Sequence, residues 1–243
     1  MDVDLCITAA YGCFLPRRFL DIPKFGTLNI HPSLLPKYRG AAPVQRTLEA
    51  GDPVAGVSVL FTVLKMDAGP IVRQLEAPLI GDEQSPELLR ALFESGSSEL
   101  LAALPEVWRG EALLRATKQD EEQATQAPKL SKDMALASFE RQSAAEIHNA
   151  VRAFAEWPGT LVSLSIGGQA TEVKLCKTRL PPAERVAPPQ TRAVWLEGDN
   201  LAVECAGGTT LHIAELQVAG RKRVDARSFW NGLQGKGELS WLR

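Results

Sequence analysis

One stretch near the start of the chain constrains its fold most: Gly26-Thr27-Leu28-Asn29-Ile30-His31-Pro32-Ser33-Leu34-Leu35-Pro36-Lys37-Tyr38-Arg39-Gly40-Ala41-Ala42-Pro43. A short apolar strand carries an asparagine and a histidine two residues apart. Strand side chains alternate between faces, so Asn29 and His31 share one face and Ile30 points to the other. An irregular loop rich in Pro and Gly leads from it to a helix start at Pro43. An amide and an imidazole are thus placed side by side at the carboxyl end of a strand, where α/β sheets hold their ligands.

The flanking segments alternate between strand and helix patterns. Residues 4–10 form a continuous apolar run closed by Tyr11-Gly12, which predicts a fully buried strand of the parallel-sheet kind. Residues 16–20 predict a short helix. Pro43 opens and Gly51 closes a helix over 43–50. A strand over 56–64 delivers Met66-Asp67-Ala68-Gly69-Pro70, a turn with an acid at the strand's exit. Another strand covers 71–79. Ser85 is the expected cap of the next helix, with Pro86 in its first turn and Leu88, Leu89, Leu92 and Phe93 at helical spacing. Pro105 is expected to kink or restart that helix. The alternation implies an α/β layer with a largely parallel sheet.

Residues 116–128 are polar, acidic and Gln-rich, the best linker candidate, and divide the chain into domains 1–127 and 128–243. Ser143 and Glu146 then form a capping box. Short alternating strands follow at 161–166, 173–178, 193–196, 201–205 and 211–216. Between them lie Gly167-Gly168, a Pro-rich 181–189 loop, Gly198-Asp199-Asn200 and Gly207-Gly208. Five short strands with hairpin signals predict a small antiparallel barrel.

Bulk properties narrow the classes. No apolar run approaches the roughly 20 residues of a membrane span, and the acidic first residues are unlike a signal peptide. Cys6, Cys13, Cys176 and Cys205 lack metal-ligand spacing and read as buried free thiols of a reducing compartment. Net charge is −2, but it is uneven: residues 1–128 sum to −5 and residues 129–243 to +3. A mildly basic second half is compatible with RNA contact without requiring it. Walker A, GxGxxG and GxSxG patterns are absent, so phosphate-loop and serine-hydrolase readings have no support.

Asn29, His31 and Asp67 together suit acyl transfer to an amine. That reaction puts negative charge on a carbonyl oxygen, which an Asn amide and a His N–H can stabilise. It also leaves a surplus proton on the attacking nitrogen, which a carboxylate near an imidazole can take. No protein nucleophile is needed when two substrates are held together. On pattern alone, a His at a strand end and an Asp in an Asp-x-Gly turn are more often structural than catalytic. His148 and His212 read as structural, and the three histidines are too scattered for a zinc motif.

The Asn-x-His strand, the following Ser33-Leu34-Leu35-Pro36-Lys37-Tyr38-Arg39-Gly40-Ala41-Ala42-Pro43 and the later Asp67-Ala68-Gly69 resemble the signature of the folate-dependent formyltransferases. The resemblance implies a Rossmann-like catalytic domain followed by an OB-like barrel. It implies 10-formyltetrahydrofolate as formyl donor, with no metal. Asn29 and His31 would stabilise the formyl oxyanion, and Asp67 would manage the amine proton and tune His31. Ser33, Leu34, Leu35 and Pro36 would hold the folate. Gln45 to Asp52, Lys129-Leu130-Ser131-Lys132-Asp133 and Trp157-Pro158 resemble the branch that formylates methionyl-initiator-tRNA. There the barrel helps to hold tRNA, and Lys174, Lys177, Arg179, Arg221, Lys222 and Arg223 would meet phosphates; a solvated surface charge is the alternative for each. Members begin with further βα units ahead of the strand at 4–10, so the resemblance implies an amino-terminally truncated domain with that strand as an exposed edge. An amino-sugar nucleotide as acceptor, or a catalytically silent tRNA-binding remnant, are the competing readings. A monomer without membrane contact is expected, in a bacterial cytoplasm or a eukaryotic mitochondrion or plastid.

Overall fold

The computed structural model describes residues 2–181, 194–233 and 239–241. All but the first residue of the Pro-rich 181–189 stretch therefore lies outside the described residues. The chain forms two compact units, Met1–Thr47 with Asp52–Lys129, and Leu48–Gly51 with Leu130–Arg243. Among the described residues, no helix is long and apolar enough to cross a membrane.

The first unit contains β1 (Cys6–Ala9), α1 (Arg17–Leu20), β2 (Thr27–His31) and β3 (Arg39–Gly40). The helix α2 (Pro43–Ala50) starts in it, and β4 (Val54–Phe61), β5 (Ile71–Pro78), α3 (Ser85–Trp108), α4 (Ala112–Arg115) and β6 (Gln126–Ala127) follow. Four strands make its main sheet in the order β1-β2-β4-β5. Only β1 and β2 run parallel; β2–β4 and β4–β5 are antiparallel. The expected largely parallel sheet is thus corrected. Alternation of strand and helix carries no direction, and β4 and β5, joined by the short 62–70 connection, form a hairpin, which must be antiparallel.

α3 covers one face of this sheet with Leu88, Leu92, Gly96, Leu100, Ala103 and Val107, all buried at helical spacing. Its approach is close: a Cβ at Gly96 would meet Ile30 Cγ2 and Val57 Cγ2 at 2.6 Å. Ile30 therefore faces the helix, and Asn29 and His31 belong to the opposite face. Three local readings need correction. The cap position of α3 is Gln84, without a side-chain bond, and Ser85 is a buried first-turn residue. The helix runs through Pro105 to Trp108, so of the expected kink or restart the restart is the one excluded. The carbonyl that loses its donor to Pro105 belongs to Leu101, on the wet side of the helix at 64% exposure, so water can serve it. Finally, β1 is the sheet's edge strand, as the resemblance implied and against the full burial that its apolar run predicted: its residues alternate half-buried and exposed, with Ile7 52% accessible.

Residues 116–128 are not a free linker. β6 pairs in parallel with β3, and Gln119 is 5% exposed within the first unit.

The second unit contains α5 (Ala144–Ala153), β7 (Thr160–Ile166), β8 (Gln169–Arg179), β9 (Val194–Glu197), β10 (Asn200–Cys205), β11 (Thr209–Val218), β12 (Val224–Asp225), α6 (Ala226–Asn231) and β13 (Leu239–Trp241). Its strands are ordered β13-β7-β8-β11-β10-β9, with β12 on β11, and every pair is antiparallel. This is the expected barrel, nearly closed. Its core alternates inward residues of each strand, among them Val162, Leu164, Val173, Leu175, Leu201, Val203, Leu211 and Ile213, with Ile147 and Val151 from α5. Each such side chain removed from water contributes about 1.5–3 kcal/mol. The Ser143/Glu146 capping box closes both bonds at the start of α5. Cys176 and Cys205 are buried, and desolvation pushes the Cys205 thiol up to about 12. Cys6 is half-buried and Cys13 is exposed, which corrects the uniform burial expected of the four.

Candidate active site

The site is built at the end of β2. Asn29 is half-buried, and the Thr8 hydroxyl of β1 donates to its Oδ1 at 2.8 Å. The carbonyl end of the amide is thereby occupied and its Nδ2–H₂ donors are left for the open face. His31 is 4% exposed. Its Nε2 lies 2.9 Å from the Tyr38 carbonyl oxygen, which can only accept, so Nε2 carries a proton. Nδ1 faces Asp67, with Oδ2 3.8 Å away. The same carboxylate oxygen accepts from the Gly40 backbone N–H at 2.9 Å. His31 and Asp67, 36 positions apart in the sequence, thus meet, on the strand face that also carries Asn29.

The loop between β2 and α2 is held from several sides. Tyr38 has φ +62°, and its backbone N–H donates to Thr125 Oγ1 at 2.8 Å. Its phenol donates to Asp52 at 2.8 Å; burial first, then this bond to a carboxylate, pushes the phenol well above its ordinary range. Within the expected folate segment, the roles divide. Ser33 is 1% exposed; its hydroxyl donates to the Lys37 carbonyl at 2.8 Å and its carbonyl accepts from Ser58 Oγ at 2.7 Å. Leu35 is buried, donates to Ser58 Oγ at 3.2 Å and accepts from Gln74 Nε2 at 2.9 Å. These two residues hold the loop's shape. Leu34 and Pro36 are the partly exposed pair, with Leu34 packed where a Cβ at Gly56 would otherwise sit.

Several residues that the sequence did not single out support the site. Arg39 is 2% exposed and donates to Gln119 and Glu121. Gln119 donates to the Asp67 carbonyl at 2.7 Å and the Gly69 carbonyl at 2.8 Å. Glu121 also pairs with Lys65, and the hydrogen bonds from Arg39 and then Lys65 lower its carboxyl to about 2. A glutamine in a polar stretch carries no sequence signal of burial; only the fold reveals it.

The basic candidates of the barrel are interleaved with acids. Lys174, Lys177 and Arg179 alternate with the inward Val173, Leu175 and Thr178, since the register of β8 skips Cys176, so all three lie on its outward side; Lys174 has its Nζ 3.4 Å from the Ala155 carbonyl. Lys177 and Arg179 line a shallow cleft with Arg227, but Asp199, Glu215 and Asp225 line it too. Arg221, Lys222 and Arg223 are exposed before β12, with Arg223 paired to Glu215. Among the described residues, no group of three or more His, Cys, Asp or Glu is placed to hold a metal.

The sheet that carries this amide, imidazole and carboxylate, and the barrel that follows it, are those of a formyl transferase, as the matches to both of its domains show. The family model for formyl transferase matches residues 1–104, and the model for the formyl transferase C-terminal domain matches residues 129–234. The methionyl-tRNA formyltransferase of Acidobacterium capsulatum is 38% identical over 94% of this chain and 71% of its own length. The chain belongs to the methionyl-tRNA formyltransferase family. Two solved structures share the fold. HypX from Aquifex aeolicus in complex with tetrahydrofolic acid superposes with a TM-score of 0.67 at 19% identity, over 99% of this chain and 42% of that one. WlaRD, a sugar 3N-formyl transferase, gives 0.66 at 17% identity, over 89% and 73%.

Proposed function

We propose that this chain transfers the formyl group of 10-formyltetrahydrofolate to the amino group of methionyl-initiator-tRNA, at Asn29, His31 and Asp67. Membership of the methionyl-tRNA formyltransferase family supports the acceptor, and the solved structure of HypX, which shares the fold and is bound to tetrahydrofolic acid, supports a folate donor. The observation that carries the chemistry is the approach of Asp67 Oδ2 to His31 Nδ1 on the face that bears Asn29.

The residues divide the work by what each atom has left to do. The neutral amine attacks the formyl carbon; a C–N bond forms and the carbonyl π pair moves to oxygen. Asn29 Nδ2–H₂, oriented by Thr8, donates to that oxygen. Nε2 of His31 is engaged with Tyr38, so Nδ1 is the ring nitrogen available to the reaction. With Nε2 protonated, Nδ1 can donate to the formyl oxygen only in the imidazolium form, in which Asp67 is the facing carboxylate. Asp67, held by the Gly40 N–H, receives the proton lost by the amine, directly or through water. When the carbonyl re-forms, the bond to the folate nitrogen breaks and that nitrogen regains one proton, so the protons balance. Leu34 and Pro36 supply the partly exposed loop surface for the folate. The exposed Arg221 and Lys222, with Lys174, Lys177, Arg179 and Arg223, are the cations proposed for tRNA phosphates. The site of action is where initiation uses formylated methionine: a bacterial cytoplasm, or a mitochondrion or plastid.

The test offers methionyl-initiator-tRNA and an amino-sugar nucleotide side by side with 10-formyltetrahydrofolate. Formylation of the tRNA and not the sugar is the expected result. Formylation of the sugar alone would move the chain to the sugar branch. Salt-sensitive tRNA binding with no turnover would make it a binding remnant.

A further inference from the structure

We infer that Gln119 is the positioning residue for Asp67, with Arg39 as its anchor; this rests on the catalytic role proposed for Asp67. Asp67 has φ +48°, a left-handed backbone that a non-glycine residue adopts only at a cost of about 1 kcal/mol or more. Its direction toward His31 depends on that backbone, because the Cα–Cβ bond moves with φ and ψ. Gln119 grips the turn at two points, donating to the carbonyls of Asp67 and Gly69 at 2.7 and 2.8 Å. Its Oε1 accepts from Arg39 Nε and Nη2 at 3.0 and 2.7 Å.

Both donors and both lone pairs of this one carboxamide are therefore used. Its orientation has no alternative: Arg39 can only donate, and the two carbonyls can only accept. The group is 5% exposed, so water does not compete for these bonds. Arg39 is itself fixed by Glu121, to which Nη1 and Nη2 donate at 3.1 Å each. The chain of bonds runs from Glu121 through Arg39 and Gln119 to the backbone of Asp67, while the Asp67 side chain is met from the other side by Gly40 N–H. Arg39 and Gly40 are adjacent in β3, so one strand pins both ends of the carboxylate's setting.

Gln119→Glu tests the assignment, since it keeps the acceptor for Arg39 and removes both donors to the turn. Turnover should fall about 10- to 100-fold, as displacements near 1 Å do, with KM for donor and acceptor changed by less than about twofold. In an Asp67→Asn background the same substitution should change turnover by less than about twofold, because no carboxylate remains to be positioned. An equal fall in both backgrounds, or a rise in KM with turnover intact, would overturn the inference. Arg39→Lys, which leaves the Gln119 amide in place but removes its forked anchor, should show the same coupling to Asp67 should Gln119→Glu not fold. The Gly40 amide proton, which binds the Asp67 carboxylate, gives a readout without turnover. Its NMR shift should move in Gln119→Glu, and an unmoved resonance would overturn the inference. A wild-type chain without transfer activity would count against the functional reading alone, and the Gly40 resonance would still decide this one.

Discussion

Asn29 has a carbonyl end and an amide end, and the Thr8 hydroxyl, which also reaches the Leu28 carbonyl at 3.3 Å, donates to the carbonyl end. If the amide is an oxyanion donor, Asn29→Ala should lower kcat about 10²- to 10³-fold in a formyl-transfer assay. Thr8→Val keeps the shape but frees the amide to rotate; it should lower kcat by about tenfold and leave KM little changed. A Thr8→Val enzyme at full kcat would remove Thr8 from the account. Glu121 offers a test by pH. Its folded-state carboxyl lies near 2, below its ordinary 4.5, because Arg39 and Lys65 bond to the ionised form. The stability it contributes is present above about 4.5 and is lost as pH falls toward 2. Urea unfolding should show wild type more stable than Glu121→Gln at pH 7, with the gap closing across that window. That Asn29, His31 and Asp67 belong together came from the family resemblance of their motifs, and the structure brings His31 and Asp67 together on the face that carries Asn29. Thr8 and Gln119 were not legible in the sequence: their bonds to Asn29 and Asp67 span 21 and 52 positions and leave no local mark.

At the scale of elements, the site's rear wall is the contact between α3 and β2. Gly96 allows it, since a Cβ there would press on Ile30 and Val57 at 2.6 Å, much too close for carbon atoms. Gly96→Ala should destabilise the first unit by about 1–3 kcal/mol, read by thermal or urea unfolding. An unchanged midpoint would mean that α3 is not packed as described. The elements with local signatures were readable: α2 between Pro43 and Gly51, α5 with its capping box, and barrel strands separated by glycine pairs. The cap of α3 and its course past Pro105 were misread within the element; the other misreadings concerned what lies across from one. An apolar run says that β1 is a strand but not that one side of it is open. Strand and helix alternation says nothing of direction between β2 and β4. The polar, Gln-rich 116–128 segment looks solvated because its buried Gln119 is satisfied by a distant arginine.

At the scale of the molecule, the charge is divided as the sequence suggests, acidic in the first half and mildly basic in the second, yet the barrel's cations are interleaved with acids. Net charge in a half is therefore a poor guide to a binding face; the exposed Arg221 and Lys222 stand out more clearly than the cleft that Lys177 and Arg179 share with three carboxylates. The chain spans 71% of the length of its Acidobacterium capsulatum relative and contains both of the matched formyl transferase regions. Asp67 and His31 are proposed to act together on a formyl group bound for methionyl-tRNA. The most direct test is the rate of formyl-methionyl-tRNA formation by the wild-type chain, His31→Ala and Asp67→Asn, each confirmed folded. Wild-type turnover with both variants reduced at least about 10²-fold is the predicted result. Full activity in either variant would contradict the role given to that residue, and with it the pairing on which the account is built.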